Sequence, residues 1–172
     1  MCKITENVTM IFLKPTKIST FAPKLSIEIS RFFSFSIFNF QISIKQRIMS
    51  DSIVIIPTYN EKENIESIIR VVFGLEKEFH ILIIDDGSPD GTADIVKRLQ
   101  KEFPERLFMV ERKGKLGLGT AYICGFKWAI EHKYDFIFEM DADFSHNPND
   151  LPKLYAACTE QGADVAVGSR YC

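Results

Sequence analysis

No two cysteines in this 172-residue chain are spaced to clip a metal: Cys2, Cys124, Cys158 and Cys172 lie far apart and form no Cys-x-x-Cys pair. That excludes the common structural zinc patterns and makes a reduced compartment the expectation. A long uncharged apolar run is also missing. The Phe-rich stretch Phe32–Ile44 is too short and too polar to span a bilayer. Met10–Leu13 stops at Lys14-Pro15, so it is no signal-peptide core. Nor is there an excess of positive charge, with 21 Lys and Arg against 23 Asp and Glu. Nucleic acid is therefore not an expected partner.

Glycine is absent from the first 48 residues, and that segment differs from the rest in charge as well. It carries seven Lys or Arg against Glu6 and Glu28, about +5, which leaves about −7 from Met49 onward. Basic, Ser-bearing and acid-poor, it vaguely resembles an organellar transit peptide, and a membrane-surface arm is a second reading. Its wealth of Lys, Ile, Phe and Asn favours a third: an AT-rich leader upstream of a start at Met49. Residues 1–48 are thus expected to be an unrelated, disordered or mis-assigned leader, and 49–172 the functional domain.

From Met49 the pattern is regular. Ser52–Ile56 is a β-branched run ended by Pro57, read as a buried strand. Ile65, Ile68, Ile69, Val72 and Phe73 then repeat at helical spacing, with Gly74 as the stop. Strands are predicted over 79–84, 107–110, 134–140 and 164–168. Helices are predicted from Ala93 to Phe103, from the glycine-rich loop to His132, and from a cap at Asn149 or Asp150 to Gly162. Strand and helix alternate five times. That is an α/β fold with a mostly parallel sheet covered on both faces.

Three loops follow strand ends: 57–61, 85–92 and 141–145. On a parallel sheet they meet at one edge, where such sheets bind ligands. Each alone is ordinary turn chemistry, and Asp90 or Thr92 could simply cap a helix. Together they cluster carboxylates, and Asp141 and Asp143 would repel each other without a cation between them. A hard divalent metal holding a diphosphate suits that pair. The run Gly114-Lys-Leu-Gly117-Leu-Gly119 is not a P-loop, because Lys115 is followed by Leu. Its glycines let the loop pass close to a sugar or pyrophosphate with Lys113 or Lys115 nearby; a plain turn is the equal alternative. His146 is read as a solvent-facing turn residue or an aid to metal or phosphate. Glu139 faces either a helix or the site, Trp128 and Phe126 are read as core, and Cys124 and Cys158 as small core residues.

The stretches Ile55-Ile-Pro-Thr-Tyr-Asn-Glu61, Asp85-Asp-Gly-Ser-Pro-Asp-Gly-Thr92, Gly117-Leu-Gly-Thr-Ala-Tyr122, Met140-Asp-Ala-Asp-Phe-Ser-His146 and Gly168-Ser-Arg-Tyr171 occur in that order. As a set they resemble the N-terminal half of the dolichol- and polyprenol-phosphate mannosyltransferases, inverting glycosyltransferases of GT-A fold and family 2. The resemblance covers about Ser52 to Tyr171, and residues 1–48 have no counterpart in it. It implies transfer of mannose from GDP-mannose to a dolichyl or polyprenyl phosphate at a membrane surface. Pro57, Tyr59 and Glu61 would hold guanosine, with Ile84 and Asp86 lining base and ribose. Asp141, Ala142 and Asp143 would meet the diphosphate and Mg²⁺ or Mn²⁺, and Arg170 would contact sugar-nucleotide or acceptor phosphate. Asp141, Asp143 and Arg170 are the catalytic candidates. Ser145 stands where some relatives carry a glutamine, and that position is left to water.

The resemblance also implies a cytoplasmic, peripheral enzyme, with contact to the lipid made directly or through a membrane-anchoring partner protein. Relatives continue past the Ser-Arg-Tyr with an acceptor half, so this chain alone is expected to bind nucleotide weakly and to transfer little or nothing. Three alternatives remain: a related polyprenyl-phosphate glycosyltransferase with another donor, an inactive nucleotide-binding fragment, and a phosphatase using Asp141 and Asp143. The last needs that motif after the first strand, whereas here it follows the fourth.

Overall fold

A computed structural model describes residues 10–13 and 50–168. All of these residues belong to one compact unit. Its sheet contains β1 (Met10–Leu13), β2 (Ser52–Thr58), β3 (His80–Asp85), β4 (Leu107–Glu111), β5 (Phe136–Glu139) and β6 (Val167–Gly168). The helices are α1 (Ile65–Phe73), α2 (Thr92–Glu102), α3 (Leu118–Glu131) and α4 (Leu151–Thr159).

Strand order is β4-β3-β2-β5-β1-β6. The pairs β2–β3, β3–β4 and β2–β5 are parallel, while β1 runs antiparallel to both of its neighbours. The α/β class and the mostly parallel sheet stand as read. Period-two alternation splits the core in two. Val54, Ile56, Ile81, Ile83 and Phe138 face α1, α2 and α4, whereas Ile53, Ile55, Leu82, Ile84 and Ile137 face α3. Each fully buried Ile contributes about 1.5–3 kcal/mol relative to leaving it in water. Helix α3 lies very close to the sheet at Gly125, where a Cβ would sit 2.5 Å from Ile55 Cγ2. Cys158 belongs to the first cluster, and Cys124, Phe126 and Trp128 pack against the second.

Three local expectations change. Pro57 does not end the first buried strand, because β2 continues to Thr58 and Pro57 stays in register with Ile84. Ile55 accepts from Met140 and Thr58 accepts from Asp86, so odd-numbered residues of β2 face β5 and even ones face β3. Pro57 thus turns its missing N–H toward β5 beyond that strand's end, and no ladder bond is lost. The last strand described is Val167–Gly168, with β1 its sole neighbour among the described residues and Asp164 and Val165 exposed. Asp150 takes the N-cap position of α4 as expected but makes no capping bond with its side chain, and the capping side chain is Asn147, one short turn earlier. Its side chain accepts from Asn149 N–H at 3.1 Å and opens a short 3₁₀ turn, Pro148–Asp150, which runs into α4.

Candidate active site

Going β2, β3, β4 the chain moves outward, then crosses back to place β5 on the other side of β2. That reversal opens a crevice at the carboxyl ends of β2 and β5. A cavity of about 250 Å³ fills it, lined by Pro57, Thr58, Tyr59 and Glu61 from one side and Asp141, Ala142 and Asp143 from the other. Asp86, Lys115, Gly117, Leu118 and Ala121 complete the wall.

The first loop is sewn to the second. Successive backbone N–H groups of Asn60, Glu61 and Lys62 donate to Ser88 Oγ, Thr92 Oγ1 and Asp90 Oδ2 at 3.0–3.1 Å. Asp90 also accepts from Thr92 N–H and hydroxyl, and these bonds hold its carboxyl below the usual range despite the opposing effect of burial. Asp90 and Thr92 therefore build the loop. Asp85, 1% exposed, accepts from Thr58 Oγ1, Gly87 N, Ser88 N and Ser88 Oγ. Gly87 sits at φ 71°, a conformation most side chains resist.

Asp86 anchors the glycine-rich loop. Its carboxylate receives Arg112 and, at 3.1 Å, the N–H of Leu116. Arg112 reaches on to Thr120 Oγ1 and the carbonyl of Gly117, so one guanidinium ties β3, the loop and the start of α3. The loop carries Lys115 to the cavity, with its ammonium 4.6 Å from the centroid of the Tyr59 ring. Lys115 is the only cation among the described lining residues. Lys113 is exposed and does not line the cavity.

On the opposite wall, the Tyr122 hydroxyl donates to Asp141 Oδ1 at 2.9 Å, and Asp141 N–H donates to His146 Nδ1 at 3.0 Å. This bond assigns the ring proton of neutral His146 to Nε2. His146 is buried. It neither faces solvent as a turn residue nor lines the cavity; it braces the Asp141 backbone. Asp143 is exposed and accepts from Ser145 N and Oγ at 2.8 Å each. Burial works against its charge, but those two bonds prevail and hold its carboxyl low. The turn places Phe144 at φ 60°, an outlier for a bulky residue that costs roughly 1–2 kcal/mol. Glu139 lies on the α3 side of β5, where burial and then the charge of Asp141 push it up to about 7.

Among the described residues no three His, Cys, Asp or Glu gather as a self-sufficient metal site. The two carboxylates on one wall nevertheless suit a hard cation that takes its remaining ligands from phosphate and water, as Mg²⁺ does. Asp141 Oδ2 has no hydrogen-bond partner among the described residues, which leaves a lone-pair face for such an ion.

With this geometry in place, comparison with known proteins is specific. The family model described as "Glycosyl transferase family 2" matches residues 53–172. The chain belongs to that family. It is 47% identical over 120 residues to a "Polyprenol monophosphomannose synthase" of Mycolicibacterium smegmatis, covering 70% of this chain and 45% of that protein. Over 118 residues it is 43% identical to an "Undecaprenyl-phosphate mannosyltransferase" of Micrococcus luteus, covering 69% of this chain and 47% of the relative. The chain thus spans about half the length of these curated relatives. Among solved structures, S. aureus TarS 1-349 matches with TM-score 0.52 and 24% identity over 64% of this chain and 32% of that one, a likeness of fold.

Within this family-2 domain, seven of the nine expected site residues line one cavity: Pro57, Tyr59, Glu61, Asp86, Asp141, Ala142 and Asp143. Ile84 is fully buried in the α3-side core, and Arg170 lies outside the described residues. Sequence reasoning missed Arg112 as the tie on Asp86 and Tyr122 as the partner of Asp141. Tyr122 had a signal: it falls in the first turns of a helix that opens at the site edge.

Proposed function

We propose that this chain forms the donor-binding half of an enzyme that moves mannose from GDP-mannose to a polyprenyl or dolichyl phosphate with inversion. The observation that carries the reading is one cavity, at the switch point of a family-2 domain, with Asp141 and Asp143 on one wall, Glu61 and Asp86 on the other sides, and Lys115 as its one described cation. The names of the two relatives supply the sugar and the class of lipid.

In this reading Pro57, Tyr59 and Glu61 hold guanosine. Asp86, already bonded to Arg112 and Leu116, meets the ribose through its remaining acceptor capacity. Ile84 shapes the end of β3 from inside the core. Asp141, Ala142 and Asp143 face the diphosphate, and Asp141 and Asp143 hold Mg²⁺ or Mn²⁺. The ion's chemistry is neutralisation of charge on the departing diphosphate. Lys115 adds a second positive charge at the same place, where it strengthens as charge develops. Arg170 guides the incoming lipid phosphate. That nucleophile is an anion near neutral pH and needs no general base, unlike a sugar hydroxyl.

No helix among the described residues is long and apolar enough to cross a membrane. Independently of that, the reading has the lipid met at the cytoplasmic membrane surface, by peripheral contact or through an anchoring partner. Calorimetric titration of the 172-residue chain with GDP and with UDP, each with Mn²⁺, tests the donor. Selective heat with GDP is expected. Equal or tighter binding of UDP, or no binding of either, overturns the reading.

A further inference from the structure

We propose that Tyr122 is a positioning residue for the metal: its hydroxyl fixes the Asp141 carboxylate so that Oδ2 alone is offered to the cavity. The inference rests on the donor-site reading above and concerns a residue that the reading does not use. Tyr122 projects from α3, and its hydroxyl meets Asp141 Oδ1 at 2.9 Å. The phenol is a neutral O–H donor, so it binds the carboxylate without bringing a second negative charge to it. It also commits one lone pair of Oδ1, which leaves Oδ2 as the oxygen with no described partner.

The backbone of the same residue is fixed independently. Asp141 N–H donates to the buried His146 ring at 3.0 Å, so main chain and side chain are each held by an aromatic partner. Asp143 differs: its contacts are to Ser145, two residues away on its own turn. Of the two carboxylates only Asp141 is clamped across elements, by α3. The start of α3 is itself tied through Arg112 to Asp86 on the far wall. Tyr122 therefore sets the ion's place relative to the nucleotide wall. Hydrogen-bond partners behind metal ligands typically govern affinity by about 10–100-fold.

The test is Tyr122→Phe in the whole 172-residue chain, which keeps the ring and deletes the hydroxyl. Mn²⁺ alone is titrated into ¹⁵N-labelled protein, and paramagnetic broadening of the Asp141, Ala142 and Asp143 amides is read. Wild type should broaden there first, and the variant should need about tenfold more Mn²⁺. Its thermal midpoint is followed in parallel, and Tyr122→Leu serves as a packing control that should lower the midpoint. Wild-type Mn²⁺ sensitivity in a folded Tyr122→Phe overturns the proposal, and so does a wild type whose three amides do not respond. A separate GDP titration in EDTA reports on Glu61 and Asp86, so failure of the nucleotide reading is seen apart from failure of the clamp. If the Phe variant does not fold, Asn at 122 is tested against Leu at 122. The proposal requires Asn to bind Mn²⁺ more tightly, and equal affinity sinks it.

Discussion

Two pairs of aspartates stand at the carboxyl edge of one sheet, and they do opposite work. Asp85 is consumed by the protein, and Asp86 is tied down by it as well, although Asp86 also lines the cavity. The first accepts four hydrogen bonds from Thr58, Gly87 and Ser88, and the second holds Arg112 and the loop amide of Leu116. Asp141 and Asp143 are left open. Each has partners that orient it, yet both face a cavity, and Asp141 keeps one oxygen uncommitted among the described residues. Similar sequence, Asp-Asp against Asp-Ala-Asp, thus yields a joint in one case and a ligand cradle in the other. What decides is the supply of donors. Gly87 and Ser88 turn back on Asp85, whereas the turn after Asp143 spends its donors on Asp143 alone.

The comparison breaks most visibly at Asp85. Removing that carboxylate strands the buried Thr58 hydroxyl and three part-buried donors of Gly87 and Ser88, at up to about 1–3 kcal/mol each. Asp85→Ala is expected to lose roughly 3–5 kcal/mol in urea unfolding. The next largest loss belongs to Arg112→Met. The pair with Asp86 is nearly excluded from water, its side chains 10% and 8% exposed. Deleting the cation leaves a buried charge, for which about 3 kcal/mol is expected by the same measurement. The variant should also free the glycine-rich loop, seen as faster amide exchange at Leu116.

Glu139 sharpens the comparison through pH. Burial and the neighbouring Asp141 raise it to about 7 from 4.5, so between those values the folded state binds a proton that the unfolded state has released. Stability from this group is therefore full below about 4.5 and is lost as pH rises through about 7. Glu139→Gln removes that loss. Its unfolding midpoint should match wild type at pH 5 and exceed it at pH 8; a constant offset at both would show that burial and Asp141 do not raise it in the folded state.

The fold was readable because apolar alternation and helical spacing survive intact in Ile53–Ile56, Ile81–Ile84 and the α1 stripe. The convergence of 57–61, 86 and 141–143 followed from strand direction alone. Pro57 misled because a missing N–H is harmful only where a neighbour needs it, and that depends on where β5 ends. His146 was not legible as a partner of Asp141, and Tyr122 only as a residue near the site edge, because each contact depends on three-dimensional placement. Tyr122 lies 19 residues away in sequence, on a helix whose rotation periodicity gives only coarsely. Arg112 was hidden in the same way: a cation next to glycines looks like a phosphate binder until a buried carboxylate is found beside it.

The smallest stability effect is the most discriminating. If the second pair is a cradle, Asp143→Asn should shift unfolding by no more than about 0.5 kcal/mol, the range of exposed sites away from such joints. Its neighbour Ser145 can still donate to an amide oxygen, and one repulsive charge beside Asp141 disappears. The same change should abolish the Mn²⁺-dependent part of GDP binding, because a neutral amide is a poor ligand for a hard cation. A residue that costs the fold nothing and the ligand everything is the reverse of Asp85. A loss of 2 kcal/mol or more at Asp143, with Mn²⁺ dependence intact, would make it a second joint and remove the contrast between the two pairs.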